Sequence, residues 1–289
     1  MFQTIEELVA QAEKVGSISE VMIQTEIETT QHSREAILEH MQKNLAVMLQ
    51  SIEKGVEGVT SVTGLTGGDA TKMKSYIDEE KFLSGKTILT AVQNAIAVNE
   101  VNAEMGLICA TPTAGSAGVV AGVLSSLIKE KELTLTQQLD FLFTAGAFGL
   151  VIANRASISG AAGGCQAEIG SASAMASAAL VELMGGTPEQ SAQAVAITLK
   201  NMLGLICDPV AGLVEVPCVK RNALGASQAF ISADMALAGI TSVIPPDEVV
   251  EAMHQVGRQM PSIFKETAEG GLAKTKTGQE IMHRIYGNP

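Results

Sequence analysis

Three of the four cysteines in this chain stand in segments rich in glycine, proline and polar residues, where a thiol can meet a ligand. Cys165 follows two glycines in GGCQAEIG, Cys207 opens CDPV, and Cys218 follows Pro217. Proline does not continue a helix and restricts the residue before it, so Cys207 and Cys218 are expected on a stiff loop rather than on a helix face. We therefore treat the three thiols as candidate metal ligands, all placed in loops.

The spacing of these thiols limits the kind of metal that they can hold. Structural zinc sites usually contain two cysteines roughly two to four residues apart, and the sequence has no such pair. A [4Fe–4S] cluster is held by thiolates and normally takes four, so three would leave one iron open as a Lewis acid. Isolated cysteines are also commonly small buried residues, and spacing alone leaves both interpretations open. Cys109, in ICATPTAG, is expected to be such a buried residue.

The elements that position these loops are predicted to be helices. Apolar residues recur at helical spacing and no segment shows sustained alternation, which predicts an all-α fold. Aromatic residues make up only 3% of the chain, so small and aliphatic side chains must build the core. Helix starts are indicated by Thr4 with Glu7, by Ser33, by Thr187-Pro188 with Gln190, and by Pro246-Asp247, and Gly55 is predicted to end the helix that Ser33 opens.

The 289 residues are expected to form one compact helical domain, with Gly/Ala-rich buried helices and irregular glycine-rich loops. Charged residues are sparse between positions 101 and 245, so this range is predicted to be the core that carries the cysteine loops. Residues 1–100 are expected to form a helical wrapping around that core. Residues 246–289 are expected to form C-terminal helices and a tail.

Charge and hydropathy exclude several classes of function. The net charge is −12 and no basic run occurs, which argues against binding to a nucleic acid backbone. The N-terminus lacks the pattern of a signal peptide, and four cysteines in so long a chain suit a reducing cytoplasm. The uncharged stretch 105–128 is long enough to cross a bilayer, but it contains TPTAGSAG and lacks the expected flanking residues, so a buried segment is predicted.

Three long strings carry a resemblance to a known family: NEVNAEMGLICATPTAGSAG, ASISGAAGGCQAEIGSASAMASAALVELMGGTPEQ and GLICDPVAGLVEVPCVKRNA. They resemble the iron–sulfur-dependent bacterial L-serine dehydratases, specifically the α chain of the two-chain form. The resemblance implies a lyase of amino-acid degradation and gluconeogenesis that converts L-serine to pyruvate and ammonia. It also implies an oxygen-sensitive [4Fe–4S] cluster held by Cys165, Cys207 and Cys218. On this interpretation Gly163 and Gly164 let the cluster and the substrate approach the backbone.

The same resemblance implies a separate β chain that forms a heterodimer with this one and supplies the histidines for proton transfer. The chain alone is then expected to be inactive or weak, and its own catalytic base stays unidentified. Its four histidines lie outside the glycine-rich loops and are expected to be surface or helix residues: His32, His40, His254 and His283.

Several polar residues near the cysteines are candidates for binding the substrate. The hydroxyls of Thr113, Ser157 and Ser159 are candidates for its ammonium or carboxylate, with helix capping as the alternative. Lys220, Arg221 and Asn222 follow Cys218 and are candidates for the carboxylate, with an ordinary surface pair as the alternative. Gly67 and Gly68 are candidates for a backbone anion site, with a simple turn as the alternative.

Rival functions need features that the sequence lacks or leaves open. A pyridoxal phosphate dehydratase needs a Schiff-base lysine and a phosphate loop, and Lys200 is the only lysine between positions 133 and 219. A related lyase acting on cysteine or threonine stays open. A non-enzymatic, metal-stabilised helical scaffold is the third alternative.

Overall fold

Helices form the regular structure of residues 2–287, which are the residues that the computed structural model describes. Within them no strand forms, and only two isolated bridges occur, between Thr60 and Gly67 and between Cys207 and Lys265. The predicted all-α fold is confirmed. The helices are α1 (Ile5–Val15), α2 (Ile18–Thr30), α3 (Arg34–Glu57), α4 (Asp69–Asp78), α5 (Lys86–Ala103), α6 (Ala117–Ile128), α7 (Leu135–Arg155), α8 (Gly160–Gly163), α9 (Cys165–Leu183), α10 (Pro188–Asn201), α11 (Cys218–Leu237), α12 (Pro246–Gln259) and α13 (Lys276–Tyr286).

Helix α9 lies at the centre of the molecule. Its residues from Cys165 to Val181 are all buried, and most of them are alanine, serine or glycine. Small side chains let four other helices, α6, α7, α10 and α11, pack closely against it. The N-terminal end of α9 is therefore fixed from several sides, and this end carries Cys165.

Helices α5 and α6 touch through their backbones. A Cβ atom added to Gly122 of α6 would lie 2.7 Å from the Ala91 carbonyl oxygen, and Gly118 is similarly close to Ala95. Real Cβ atoms do not approach backbone so closely, so glycine is required at these positions. The contact fixes the start of α6 and thereby the loop 104–116 that leads into it.

The predicted helix starts are confirmed, with one error in a helix end. Thr4, Ser33 and Thr187 each accept a backbone N–H with the side chain, and Thr187 forms a full capping box with Gln190. Helix α3 runs through Gly55 to Glu57 instead of ending at Gly55. Gly55 is helical and buried because α3 approaches the backbone of Ala97 there.

One helix is long and apolar enough to cross a membrane, by length and composition only. It is α7, and 61% of its apolar window is buried inside the protein. Core helices pass the same test, so this finding is weak evidence for a membrane span. The stretch 105–128 that raised the question in the sequence is an irregular loop followed by α6.

Candidate metal centre

Two thiols and one carboxylate meet at the N-terminal end of α9. The Sγ atoms of Cys165 and Cys207 and a carboxylate oxygen of Glu168 lie within 4.8 Å of one another, and all three residues are buried. Cys165 and Glu168 are three residues apart and so share one face of α9. Cys207 comes from the connection between α10 and α11. Thiolate and carboxylate together form a set of possible metal ligands.

Cys218 lies beside this group, at the first position of α11, and is 5% exposed. Burial raises the pKa of its thiol, and the charges of Cys165 and Glu168 raise it further, which places the thiol within electrostatic reach of both. Packing of α11 against α9 brings the two helix starts together. Cys218 is therefore a neighbour of Cys165 and Cys207 but not a member of the group whose ligand atoms lie within 4.8 Å of one another, and the role of all three cysteines as metal ligands stays a prediction.

The expectation that all three cysteines lie in loops is wrong for two of them. Cys165 is the first residue of α9 and Cys218 the first residue of α11, whereas Cys207 is in a loop as predicted. Gly164, with φ +77, and Pro217 precede these helices and can both stand at a helix start. The positive end of a helix dipole favours a thiolate, so these positions suit a ligand.

Arg221 connects the thiols to the protein interior. Its NH1 group donates to Cys165 Sγ at 3.3 Å and to the Ile206 carbonyl at 2.8 Å, and its NH2 group pairs with Asp208 at 2.8 Å. The hydrogen bond with Cys207 lowers the pKa of Cys165, and the charge of Arg221 lowers it further. The same bond raises the pKa of Cys207. Arg221 as a substrate ligand stays a prediction, and the structure adds a supporting role at Cys165.

Glu168 is a site residue that the sequence reasoning missed. Its Oε1 atom accepts a hydrogen bond of 2.5 Å from Thr113 Oγ1, and a Cβ on Gly115 would lie only 2.7 Å from the same oxygen. Burial raises the pKa of the Glu168 carboxyl. The three-residue spacing from Cys165 is the signal that could have found it, had that cysteine been placed on a helix.

The C-terminal segment, residues 262–272, lies against the candidate metal centre and adds a second carboxylate, that of Glu266. Cys207 N–H donates to the Phe264 carbonyl at 2.8 Å, and Glu266 N–H donates to the Cys207 carbonyl at 2.9 Å. Glu266 has a left-handed backbone with φ +65, which is uncommon for glutamate. A Cβ on Gly160 would lie 2.8 Å from Cys207 Sγ, 3.2 Å from Glu168 Oε2 and 3.4 Å from Glu266 Oε2. These three atoms therefore converge above Gly160.

The glycines next to Cys165 face protein rather than this space. A Cβ on Gly164 would lie 2.7 Å from the Met260 sulfur and 2.9 Å from the Leu205 carbonyl oxygen. Gly163 lies against Gly257 of α12, whose added Cβ would be 3.0 Å from the Gly163 Cα. The explanation that these two glycines open the site is wrong, because both serve the close approach of neighbouring segments. Gly115 and Gly160 are the glycines that border the carboxylates.

The serines before Cys165 act in local turns. Ser159 accepts a hydrogen bond from Ala162 N–H and so caps α8, and Ser157 Oγ accepts one from Ser159 N–H at 3.3 Å. Thr113, by contrast, points to Glu168. The capping alternative therefore describes Ser159 in this structure, and Thr113 is the hydroxyl that reaches the group of thiols and carboxylates. A substrate role for each of the three stays a prediction.

Asn222 holds the start of α6 against α11. Its Nδ2 group donates to the Gly115 carbonyl at 2.7 Å and to the Cys218 carbonyl at 3.0 Å, while Oδ1 accepts from Gly118 N–H at 3.1 Å. The side chain is fully buried. Lys220, two residues earlier on α11, is exposed and pairs with Asp69 at 2.5 Å. These contacts give both residues structural partners, and substrate binding by them stays a prediction.

The predicted anion site at Gly67 and Gly68 already holds a carboxylate of this chain. Gly68, with φ +74, precedes α4, and Glu100 accepts hydrogen bonds from Asp69 N–H at 2.8 Å and from Ala70 N–H at 3.3 Å. Glu100 is 1% exposed. The start of α4 is thus an anion site whose anion is internal, and binding of substrate by Gly67 and Gly68 stays a prediction.

The remaining candidates lie elsewhere. Cys109 packs at the edge of the main hydrophobic core but is half-buried rather than buried as expected. The rings of His32 and His40 contact each other edge to face with centroids 6.0 Å apart. His254 lies on α12 and His283 on α13. None of the four histidines belongs to the group formed by Cys165 and its neighbours in residues 2–287.

Comparison with known proteins decides the family. The family model described as "Serine dehydratase alpha chain" matches residues 13–273. The chain belongs to this family. A relative from Bacillus subtilis named "Probable L-serine dehydratase, alpha chain" is 63% identical over 288 residues, covering 99% of this chain and 96% of its own. The "L-serine dehydratase, alpha chain" of Peptoniphilus asaccharolyticus is 42% identical and covers 97% of both chains.

Some relatives of this serine dehydratase alpha chain are longer. The "L-serine dehydratase 1" of Escherichia coli is 36% identical over 94% of this chain but matches only 61% of its own length. The matched range 13–273 of the family contains every residue of the candidate centre, including Glu266. The cysteine site therefore lies within the part that defines the serine dehydratase alpha chain family.

Proposed function

We propose that this chain is the catalytic subunit of an L-serine dehydratase, which converts L-serine to pyruvate and ammonia. One observation carries the proposal: the thiols of Cys165 and Cys207 meet in the interior of a chain of the serine dehydratase alpha chain family, with the buried Cys218 at the start of the adjacent helix α11. The names of the relatives from Bacillus subtilis and Peptoniphilus asaccharolyticus support the choice of substrate.

The donor set fits an iron–sulfur group. Three thiols are buried and free of disulfides, and two of them stand at helix starts where a thiolate is favoured. Soft thiolate ligands select iron–sulfur clusters, zinc or monovalent copper over harder metals. Cys109 packs against the main core and is not part of the group formed by Cys165, Glu168 and Cys207, so we assign it no ligand role. We propose a [4Fe–4S] cluster on Cys165, Cys207 and Cys218, with no cysteine ligand for its fourth iron in this chain.

The chain's own residues explain how such a site is held. When bound, the cluster supplies a Lewis-acidic iron that can stabilise charge on a departing hydroxyl. Arg221 orients Cys165 and supplies positive charge to its sulfur, as a supporting group does for a metal ligand. Asn222 ties the Cys218 carbonyl to the start of α6. Burial of the thiols excludes water, which strengthens electrostatic interactions at the reacting atoms.

Proton transfer is assigned to a partner. The four histidines of this chain lie outside the centre, so a base for the α-proton of serine has to come from another group. The name alpha chain, carried by the family and by the relative from Bacillus subtilis, supports a β-chain partner. We propose a heterodimer in the reducing cytoplasm, in which the β chain completes the active site.

An assay with and without the β chain tests this function. The chain is purified without oxygen, its iron and sulfide are measured, and pyruvate release from L-serine, L-threonine and L-cysteine is followed. We expect about four iron and four sulfide per chain, and turnover of L-serine that needs the β chain. Full turnover by this chain alone would contradict the assignment of the base. Zinc, or no bound metal after anaerobic purification, would contradict the cluster.

A further inference from the structure

Two carboxylates at the candidate centre lack a cationic partner. In residues 2–287, neither Glu168 nor Glu266 forms an ion pair, while the nearby Arg221 is already paired with Asp208. Oε2 of Glu168 and Oε2 of Glu266 both border Gly160, so the two carboxylates act on each other as like charges. Glu168 is buried and Glu266 is half-buried, and a carboxylate withdrawn from water is costly unless it is paired, so this arrangement favours a cation from outside the chain.

The geometry points both carboxylates into one space. Thr113 donates to Oε1 of Glu168, which leaves Oε2 turned toward Gly160. Oε2 of Glu266 borders the same glycine, held there by the pairing of its backbone with Cys207. A Cβ at Gly160 would come within 2.8 Å of the Cys207 sulfur, so glycine is what leaves room beside the two oxygens. Two acceptor oxygens and an adjacent thiol therefore lie together beside Gly160.

We propose that Glu168 and Glu266 bind the α-ammonium group of the amino-acid substrate and so select amino acids over acids that lack the amine. This inference rests on the proposed function, because it places the substrate beside the three thiols. An ammonium group carries three N–H donors and a full positive charge, which matches two carboxylate oxygens.

Ligand chemistry separates this role from metal binding. Thiolates are the soft ligands that iron–sulfur groups take, and the three cysteines satisfy that need. The carboxylates are hard ligands, and the hydrogen bond from Thr113 and the contacts with Gly115 and Gly160 fix the position of Glu168. The left-handed backbone of Glu266 is a further sign of a positioned side chain, since such strain persists only where the surroundings impose it.

Paired non-reactive probes test the proposal. L-alanine and propanoate differ only in the ammonium group, and neither carries a β-hydroxyl that can be eliminated. Their binding to the anaerobically purified heterodimer is measured by calorimetry for the wild type, Glu168→Gln and Glu266→Gln. Glu269→Gln is the matched control, because it removes the same charge from an exposed position on the same segment.

We expect each site variant to bind L-alanine about 10- to 100-fold more weakly, as for loss of a charge-assisted hydrogen bond, with propanoate affinity changed less than about 2-fold. The KM for L-serine should rise, with a smaller change in kcat, because a ground-state contact is lost. Glu269→Gln should match the wild type in its affinity for L-alanine, its affinity for propanoate and its KM for L-serine. Glu266→Gln alone decides the question if Glu168→Gln fails to fold, as checked by circular dichroism.

Two results would overturn the proposal. One is an unchanged ratio of L-alanine to propanoate affinity in both site variants. The other is that the variants lose iron while the remaining holoenzyme keeps the wild-type ratio of L-alanine to propanoate affinity. That result would make the carboxylates metal ligands. Failure of the proposed function is distinguishable from both, because the wild-type heterodimer would then release no pyruvate from L-serine.

Discussion

Arg221 supports the candidate centre through an ion pair with Asp208 that is almost buried. Its side chain is 14% exposed and Asp208 is 3% exposed, so their ion pair is almost removed from water. Asp208 also accepts a hydrogen bond from Leu272 N–H at 2.8 Å, which ties the C-terminal segment to the same pair. The side chains of Arg221 and Asp208 thus join Cys165, the Cys207 loop and the C-terminal segment.

Removing Arg221 should leave Asp208 as an unpaired buried charge. We expect Arg221→Met to lower the free energy of unfolding by about 3 to 5 kcal/mol, as measured by urea denaturation. Lys220→Met is the control, since its pair with Asp69 is exposed and should contribute less than about 1 kcal/mol. The double variant with Asp208→Asn should be more stable than Arg221→Met alone, and a strictly additive double-mutant cycle would contradict the coupling.

The three clustered cysteines should differ sharply from the fourth. Cys165→Ser, Cys207→Ser and Cys218→Ser should each lose most of the bound iron and the broad visible absorption, because each removes one thiolate. Cys109→Ser should keep both, since this residue lies with the main core. Iron analysis and absorption spectra of the four anaerobically purified variants provide the comparison. Equal iron loss in all four would contradict the assignment.

At the residue scale, the sequence identified the thiols of the candidate centre but not its carboxylates. Cysteine is rare in this chain, so three cysteines in polar-glycine segments stand out. Glutamate is common, and nothing local distinguishes Glu168 or Glu266 from other acidic residues. Glu266 reaches the centre only through the pairing of its backbone with Cys207, 59 positions earlier in the chain. Such a long-range contact leaves no mark on local composition.

Among the helices, direct backbone contact between α5 and α6 is the feature most sensitive to substitution. Gly122 faces Ala91 and Ala95 across that contact, while Gly146 of α7 has open space where a Cβ would be. We expect Gly122→Ala to destabilise the protein by about 1 to 3 kcal/mol through overpacking. Gly146→Ala should stabilise it by about 0.5 to 1 kcal/mol, because alanine favours a helix.

Thermal and urea unfolding of the two alanine variants measure this difference. Both changes add one methyl group to a helical glycine, so they share the same effect of helix propensity. An equal change in stability for both would contradict the packing argument.

Helix starts with side-chain caps were predictable because the signal is local. Thr187, Pro188 and Gln190 supply the cap, the first turn and the reciprocal hydrogen bond within four residues. The starts of α9 and α11 have no side-chain cap, and at α9 the Gln166 N–H donates instead to the Leu205 carbonyl at 2.8 Å. That partner lies on a loop that is distant in sequence, so no local pattern marks these helix starts. The sequence analysis therefore predicted loops at Cys165 and Cys218.

Across the whole molecule, the candidate centre joins parts that are far apart in sequence. It brings together α9, the loop after α10, the start of α11 and the segment around Glu266. A ligand that binds only the folded state stabilises it, and a shared ligand links the parts that hold it. Bound metal is therefore expected to stabilise the loop and the C-terminal segment more than the helical interior.

Removal of the metal should loosen this region selectively. After chelation, we expect the midpoint of thermal unfolding to fall by several degrees. Amide hydrogen exchange should accelerate in segments 205–209 and 262–272, while α5 and α6 keep their protection because their contact does not involve the centre. A uniform acceleration across all helices, or none in the two segments, would contradict the proposed location of the metal.

The pairing of Glu266 with Cys207 makes the number of residues in the C-terminal segment critical. Cys207 N–H is held by the Phe264 carbonyl, and the Cys207 carbonyl is held by the N–H of the residue two positions after Phe264, so a shift by one position places a different side chain beside the centre. The neighbours of Glu266 are Lys265 and Thr267. Deleting one residue after Phe264 would bring a threonine to the position of the carboxylate, and inserting one would bring a lysine there and reverse its charge. The length of this short stretch, as much as its composition, therefore sets the sign of the charge presented beside Gly160.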